Sequence, residues 1–297
     1  MRFGIHALQL DRLIAPDLPP DQLLARVTGF NHANLVRELH AAGFNPIEVG
    51  GDMALFLPHT FSSQVIQEMA DLKKKSDIRF TVHLPLWSVE LSTLQTPVRQ
   101  GSIQAVVESI RTTLPLEPEV YVLHATGALA AEFSQMRIPE LARQFVLRQF
   151  QQAAGESLDA ILSQTGLESR RLAIETIEFP FDMTLELAEQ HDISICFDTG
   201  HVLVGFSGPV DFFTALEACL PRLAEIHLHD GPWQGPDRQI GYGKDHQALG
   251  RGDLEIGRLL DHLQAAAFDG PVVFELSSTE ALESLDVIRN IRPEVLA

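Results

Sequence analysis

The sequence predicts an α/β protein, a single (β/α)8 barrel that spans residues 1–297 with its active site at the C-terminal ends of the strands. Short apolar runs alternate with longer amphipathic stretches along the whole chain, which is typical of a parallel sheet with helical connections. Most of these runs also end in His, Asp or Glu, and a barrel gathers strand-end residues on one face. The length fits one such barrel, and no Pro/Ser-rich linker divides the chain.

An open doubly wound sheet is the alternative architecture. It would gather its polar residues at one switch point, and its usual G-x-G-x-x-G motif does not follow the first run. The expected strands are Arg2–Ala7, Pro46–Val49, Arg79–His83, Val120–His124, Arg171–Thr176, Ile193–Asp198, Ala224–Leu228 and Pro271–Leu276. The expected helices are Asn34–Ala42, Ser63–Leu72, Thr96–Thr112, Pro139–Leu162, Asp182–Glu189, Val210–Cys219, Leu254–Ala266 and Glu280–Ile291. Ser62, Asp253 and Thr279 are the expected N-caps.

Two segments are predicted to be long loops at the barrel mouth. Leu10–His32 is rich in proline and reads as an irregular loop, and Gly231–Gly252 is rich in glycine and proline and reads as a lid.

The charge of the chain limits the partners that it can have. The formal net charge is −18, from 22 Lys and Arg against 40 Asp and Glu, so nucleic acids and anionic membranes would be repelled at long range. No apolar stretch approaches the roughly 18 residues of a membrane span, and the N-terminus has no signal-peptide pattern. The two cysteines, Cys196 and Cys219, are too few for a disulfide framework. We therefore expect a cytoplasmic protein.

Acidic residues at strand ends predict a metal site. Glu175 and Glu275 each follow an apolar run, and an unpaired charge there would cost several kcal/mol. A cation shared with Asp198 and His227 would remove that cost, and His, Asp and Glu are the ligands that divalent transition metals take in proteins. Gly200 is expected to turn the chain so that His201 points at the same centre. The remaining histidines His6, His32, His40, His59, His191 and His262 are expected to be structural or surface residues.

These residues resemble the xylose-isomerase-like TIM barrels, a superfamily that includes endonuclease IV. The similar motifs are A-I-E at Glu175, D-T-x-H at Asp198 and His201, H-x-x-D at His227 and Asp230, the strand-end Glu275, and the stretch His246–Asp253. The resemblance covers essentially the whole chain in order and spacing.

The resemblance implies one of two activities. Sugar isomerases and epimerases of this type hold one divalent ion (Mn, Zn, Co or Mg) with four ligands, here Glu175, Asp198, His227 and Glu275. Glu175 and Glu275 would then also be the catalytic bases that move a proton between neighbouring carbons. Endonuclease IV instead uses three zinc ions, and its additional histidine ligands match a second set here, His83, His124, His201 and His246.

Lys244 is the residue that favours one of these two activities over the other. It stands where the trinuclear hydrolases place a carboxylate ligand, so it should oppose a third zinc unless Asp245 takes that place. The first prediction is therefore a sugar or sugar-phosphate isomerase or epimerase. The alternative is a zinc-dependent phosphodiester hydrolase that acts on a small molecule, since His83–Leu86 and Asp245–Leu249 are similar to stretches of the barrel phosphodiesterases that remodel cobamides. A non-enzymatic binding barrel ranks third.

The predicted partner is a small-molecule substrate, a sugar or sugar phosphate, with no nucleic acid and no membrane. The residues expected to contact it are His201, His229, Asp230, Lys244, Trp87 and Trp233. The two tryptophans could equally anchor their loops, and Lys244 could be a solvated loop residue. A homo-oligomer is possible, and the sequence does not specify which divalent metal is bound.

Overall fold

Eight parallel strands form a closed barrel in which each strand pairs with the next along the chain and β8 pairs with β1. The structure is a computed structural model that describes residues 1–9, 19–235 and 240–296. The strands are β1 Arg2–His6, β2 Ile47–Gly50, β3 Phe80–His83, β4 Tyr121–Leu123, β5 Leu172–Glu175, β6 Ser194–Asp198, β7 Leu223–His227 and β8 Pro271–Phe274. The predicted (β/α)8 fold class is confirmed, and each predicted strand overlaps an observed one.

The helices surround the barrel. They are α1 Pro20–Gly29, α2 His32–Ala41, α3 Met53–Phe56, α4 Ser63–Lys75, α5 Thr96–Thr113, α6 Ala128–Gln135, α7 Glu140–Thr165, α8 Phe181–Gln190, α9 Thr199–Val204, α10 Phe212–Cys219, α11 Ile256–Ala265 and α12 Ser278–Ile291. All eight predicted helices overlap observed ones. The short helices α3, α6 and α9 were not predicted, because each lies in a strand-to-helix connection too short to show a helical period. No helix in the described ranges is long and apolar enough to cross a membrane.

The segment Leu10–His32 differs from its prediction. Residues 10–18 lie outside the described residues, but Pro20–Gly29 forms the helix α1, with proline in its first turn. Proline is tolerated there because its missing N–H would have no partner in any case. The helix formers Gln22–Arg26 follow within the same helix, so Pro19 and Pro20 begin this helix instead of preventing it. Within Gly231–Gly252, residues 236–239 likewise lie outside the described part.

Two of the three predicted N-caps are wrong. Ser62 caps α4, with its side chain accepting a hydrogen bond from the Val65 amide. Asp253 instead accepts a hydrogen bond from the Trp233 amide, since α11 begins only at Ile256. The last helix begins before Thr279, and Ser277 is its cap.

The main apolar core lies between the barrel strands and the helices. A separate small cluster has Val120, Val122, Ala173 and Cys196 as its buried members. Three fully buried polar side chains also meet, as the Thr81 hydroxyl lies 3.3 Å from Glu48 Oε2 and 3.0 Å from Glu225 Oε1. Because these residues come from β3, β2 and β7, the contacts cross the inside of the barrel.

Candidate metal centre

A cavity of about 540 Å³ opens at the C-terminal ends of the strands. Its polar lining comes from the ends of all eight strands or the segments after them, and consists of His6, Asp52, His83, His124, Glu175, Glu178, His201, Asp245, His246, Glu275, Ser277 and Glu280. None of the described lining residues is lysine or arginine. The cavity is therefore better suited to bind cations than to bind anions.

The inner group consists of Glu175, Asp198, His227 and Glu275, the four residues that the sequence puts at one metal. Nδ1 of His227 lies 3.5 Å from Glu175 Oε1, 3.8 Å from Asp198 Oδ2 and 3.4 Å from Glu275 Oε1. Glu175, Asp198 and His227 are at most 1% exposed, and the side chain of Glu275 is 10% exposed. One ligand atom from each residue lies within 4.8 Å of all the others, close enough for a single ion.

A second group, the paired histidines His83 and His124, meets Glu175 from the other side. Nε2 of His83 lies 3.1 Å and Nε2 of His124 lies 3.0 Å from the same oxygen, Oε2 of Glu175. The other oxygen of Glu175 faces the inner group. Glu175 thus presents one oxygen to each of two groups of candidate ligands.

The outer group consists of His201, Asp245 and His246. Oδ2 of Asp245 lies 3.3 Å from His201 Nε2 and 3.1 Å from His246 Nδ1, and His246 Nε2 lies 3.2 Å from Glu275 Oε2. Lys244 is exposed and does not line the cavity. The exception foreseen for Lys244 applies here, because the carboxylate of the next residue, Asp245, takes the place beside His201.

The D-T-G-H motif positions the inner and outer groups together. Asp198 caps α9, with Oδ1 accepting a hydrogen bond of 2.6 Å from the His201 amide. The Thr199 hydroxyl lies 2.6 Å from the carbonyl oxygen of His229 and 3.1 Å from its amide, which fixes the end of β7. Gly200 lies inside α9, and a Cβ there would lie 2.1 Å from Nδ1 of His229. The glycine makes room for a neighbouring imidazole, which corrects its expected role as a turn.

His229 and Asp230 differ from their prediction as substrate contacts, because their polar atoms are already engaged. Both residues are fully buried and neither lines the cavity. Nε2 of His229 lies 2.8 Å from Asp198 Oδ2, while its Nδ1 accepts from the His246 amide. Asp230 accepts hydrogen bonds from four backbone amides, those of Gly231, Gly250, Gly252 and Leu254. Asp230 therefore folds the loop after β7.

The two tryptophans predicted to contact the substrate differ in their position relative to the cavity. Trp87 lines the cavity, is 49% exposed and packs edge-on against Phe56, with ring centroids 5.5 Å apart. Asp52 holds its loop by accepting hydrogen bonds from the amides of Leu86 and Trp87. Trp233 is 46% exposed and does not line the cavity. Only Trp87 is placed to meet a molecule there.

His6 and Glu48 are among the site residues that were missed in the sequence. His6 was expected to be structural, but it lines the cavity with Nδ1 3.8 Å from Glu275 Oε1. Glu48 is fully buried, with Oε1 3.4 Å from His227 Nε2, on the side of that ring away from the inner group. The one signal for Glu48 was a carboxylate within a run that is otherwise apolar or glycine, Ile47–Gly50.

The pKa values of the ionisable residues in the site are strongly shifted. Burial alone would lower the pKa of His124, but Glu175 raises it to about 10. Burial is likewise outweighed at His201 and His246, where Asp198 and Asp245 raise the pKa values to about 9 and about 11. Burial raises the pKa of Glu175, but His124 and His227 together hold it well below its usual range. In the absence of a metal, protons on the histidines balance the carboxylates.

The donor set fits divalent metal ions. Glu175 Oε1, His201 Nδ1 and His227 Nδ1 are buried. Glu175 Oε1 lies 3.0 Å from His201 Nδ1 and 3.5 Å from His227 Nδ1, but none of the three atoms makes a hydrogen bond of good geometry to a described residue. Each such atom costs about 1–3 kcal/mol when it is left unsatisfied. These atoms converge on the inner group, where a cation would satisfy them together.

Comparisons with known proteins agree with this architecture. Residues 36–291 match the family model described as xylose isomerase-like TIM barrel. The uncharacterized protein MJ1311 of Methanocaldococcus jannaschii is 21% identical over 247 residues, which cover 78% of this chain and 76% of that protein.

Two solved structures share the fold. A D-tagatose 3-epimerase-like protein superposes with a TM-score of 0.70 at 19% identity, covering 100% of this chain and 98% of its own. Endonuclease IV from Thermus thermophilus superposes with a TM-score of 0.65 at 18% identity, covering 99% and 100%. Because the family model spans most of the sequence, the chain belongs to the xylose isomerase-like TIM barrel family.

Proposed function

We propose that this protein is a divalent-metal phosphodiester hydrolase with more than one ion per chain, acting on a small molecule. One observation carries the proposal, namely that the two carboxylate oxygens of Glu175 face different ligand groups. Oε2 meets His83 and His124, and Oε1 meets His227. Bridged ions a few ångströms apart are typical of enzymes that cleave phosphate esters, because they stabilise both the attacking and the leaving oxygen.

A sugar isomerase or epimerase is the second candidate, and the complete inner group favours it. That group alone suffices for one ion, and the D-tagatose 3-epimerase-like protein shares the fold. A single-ion enzyme leaves the paired histidines and the outer group without a function, however. Burying His83 and His201 at 4% exposure has a desolvation cost that a metal site would explain. We therefore place the hydrolase first.

The residues have distinct tasks in the proposed reaction. Divalent ions would supply Lewis-acid polarisation of the phosphate. Glu175 would hold two of them at a fixed separation, and Glu275 would accept the proton of the attacking water. The water oxygen bonds to phosphorus, the bond from phosphorus to the leaving oxygen breaks, and one proton ends on that leaving oxygen.

The cavity limits the substrate to a small molecule with a modest negative charge. It has no lysine or arginine among its described lining residues, and the net charge of the chain is −18. A polyanion would be repelled, whereas one phosphodiester charge can be neutralised by the ions. Leu8, Leu86, Trp87 and Phe206 give the cavity apolar lining that could contact the rest of the molecule. The volume of about 540 Å³ lies in the usual range for small-molecule sites.

Zinc is the metal that the histidine-rich groups favour, since imidazole and carboxylate ligands suit it well. The more acidic inner group also suits Mn, Co or Mg. We place the protein in the cytoplasm because Cys196 and Cys219 are both free.

Two measurements on the purified protein test the proposal. Metal content by elemental analysis should give two or three ions per chain, and zinc-loaded protein should hydrolyse bis(p-nitrophenyl) phosphate. The matched variant is His83→Gln combined with His124→Gln, which removes the second group and leaves the inner group. It should lose one ion and the hydrolysis together. One ion per chain, with solvent deuterium entering a ketose substrate, would contradict the proposal and support the epimerase.

A further inference from the structure

We propose that His229 is a positioning residue that transmits metal binding at Asp198 to the loop that carries Asp245 and His246. This inference rests on the proposed function only in that the inner group binds a divalent ion. It concerns a side chain outside all three ligand groups.

The tautomer of His229 follows from its two hydrogen bonds. The His246 backbone amide can only donate, and it lies 2.8 Å from Nδ1 of His229, so Nδ1 carries no proton. The ring proton is therefore on Nε2, which donates to Oδ2 of Asp198 at 2.8 Å. With both nitrogens occupied, the ring has no lone pair left for a metal. A metal ligand on one side and a loop amide on the other are thus held by one rigid ring.

The surroundings of His229 allow it little freedom. The ring is fully buried and stacks on the ring of His246, with centroids 4.2 Å apart and an interplanar angle of 9°. Its backbone is fixed by the Thr199 hydroxyl, and Gly200 leaves the space that the ring fills. A displacement of Asp198 must therefore move the ring or break the hydrogen bond to Asp198.

His246, whose amide is bound by His229, has a strained backbone conformation. His246 has φ of 55°, a left-handed conformation that costs a residue with a side chain free energy. The hydrogen bond from its amide to His229 helps to hold this conformation, which directs the His246 side chain towards Asp245 and Glu275. When an ion fixes Asp198, His229 is fixed, and the outer loop is held in its ligand geometry. By linkage, the loop in turn strengthens the hold on that ion.

Two substitutions separate the two ends of this link. In His229→Gln, the side-chain amide can still donate to Asp198 but offers no acceptor to the His246 amide. In His229→Asn, the side-chain oxygen takes the place of Nδ1 and accepts from that amide, but the side chain no longer reaches Asp198. His262→Gln, at a partly exposed position of α11, is the matched control.

The readout is the exchange rate of the His246 amide proton, measured by NMR with and without zinc in an Asp245→Asn background, which removes the outer ion and leaves the inner group to bind zinc. In this background, with His229 intact or with the His262 control substitution, zinc should slow exchange by about fivefold or more. In His229→Gln, exchange should be fast under both conditions. In His229→Asn, it should be slower than in the Gln variant and unchanged by zinc. A merely structural histidine would make the two variants alike.

Exchange that is indifferent to zinc with His229 intact, or that keeps its zinc response in either variant, would overturn the proposal. If neither variant folds, nitrogen chemical shifts of His229 in the zinc-loaded natural protein decide it. A proton on Nδ1 overturns the link, and a proton on Nε2 alone supports it. Ion count and phosphodiester hydrolysis are measured separately, so a one-ion protein with a zinc-dependent loop would support this inference while contradicting the proposed function.

Discussion

Oδ2 of Asp245 lies 3.3 Å from Nε2 of His201, so a carboxylate stands beside the histidine of the D-T-G-H motif even though the motif spacing puts Lys244 there. The loop conformation brings this about. His246 adopts a left-handed φ of 55°, and Oδ2 of Asp245 lies between His201 and His246 while the side chain of Lys244 stays exposed. The outer group therefore has its carboxylate from Asp245, and no substitution of Lys244 is needed to complete it.

We predict that Asp245→Asn lowers zinc content by about one ion per chain, because the amide loses the charge that a divalent ion requires. Lys244→Asp should leave the zinc content unchanged, since the outer carboxylate is already supplied by its neighbour. Elemental analysis after exhaustive dialysis measures both. If Lys244→Asp adds an ion and Asp245→Asn removes none, then the motif spacing and not the loop geometry describes the ligands.

We predict that Glu275→Gln lowers kcat by about 10²–10⁴ while the fold is kept, as expected for the loss of one positioned acid–base group. Glu275 faces His227 through Oε1 and His246 through Oε2, so the substitution also disturbs two ligand groups. Glu283→Gln makes the same chemical change on the exposed face of α12 and should have no effect. Circular dichroism checks the fold, and a rate within a few-fold of the natural protein would rule out the role of Glu275.

The barrel and the inner residues could be predicted from the sequence because the signal is local. Glu175, Asp198 and His227 each end an apolar run, and parallel strands in a barrel bring their ends to one face. Nothing beyond strand assignment was required, so four residues far apart in the chain could be grouped correctly in space.

The remaining features depend on tertiary contacts that no local pattern contains. Gly200 is needed because of the ring of His229, just after the neighbouring strand β7, and the place of Asp245 depends on a hydrogen bond between the His246 amide and His229. Glu48 is one residue in a four-residue strand, and its contact with His227 crosses the barrel interior. The order of the two candidate activities rests instead on Glu175, whose two oxygens face different ligand groups, an orientation that the sequence does not show.

We predict that removing the metal with a chelator lowers the melting temperature, and more strongly at about pH 9 than at about pH 6. Glu175 raises the pKa of His124 from its ordinary 6.5 to about 10, against the effect of burial. Without metal, the protonated histidine therefore stabilises the fold fully below about pH 6.5, and this contribution is lost as the pH rises through about 10.

Metal binding has the opposite dependence on pH, since it needs the deprotonated ring. The difference in melting temperature between loaded and chelated protein should widen with pH, and calorimetric scans across this range measure it. Re-adding zinc should restore the loaded curve. A difference that narrows as the pH rises would contradict the assignment of His124 as a ligand.

We predict no appreciable affinity for duplex DNA with an abasic site at physiological salt, even though endonuclease IV shares the fold. Affinity for a duplex comes mainly from lysine and arginine that neutralise backbone phosphates. Here the net charge is −18, and neither residue type occurs among the described residues that line the cavity. Fluorescence anisotropy with a labelled duplex, at low and at physiological salt, measures the binding. The small diester bis(p-nitrophenyl) phosphate, cleaved by the same zinc-loaded sample, shows that the protein is active. Micromolar binding that weakens steeply with added salt would mean that basic residues outside the cavity bind the phosphates of the DNA backbone. The substrate would then be a nucleic acid.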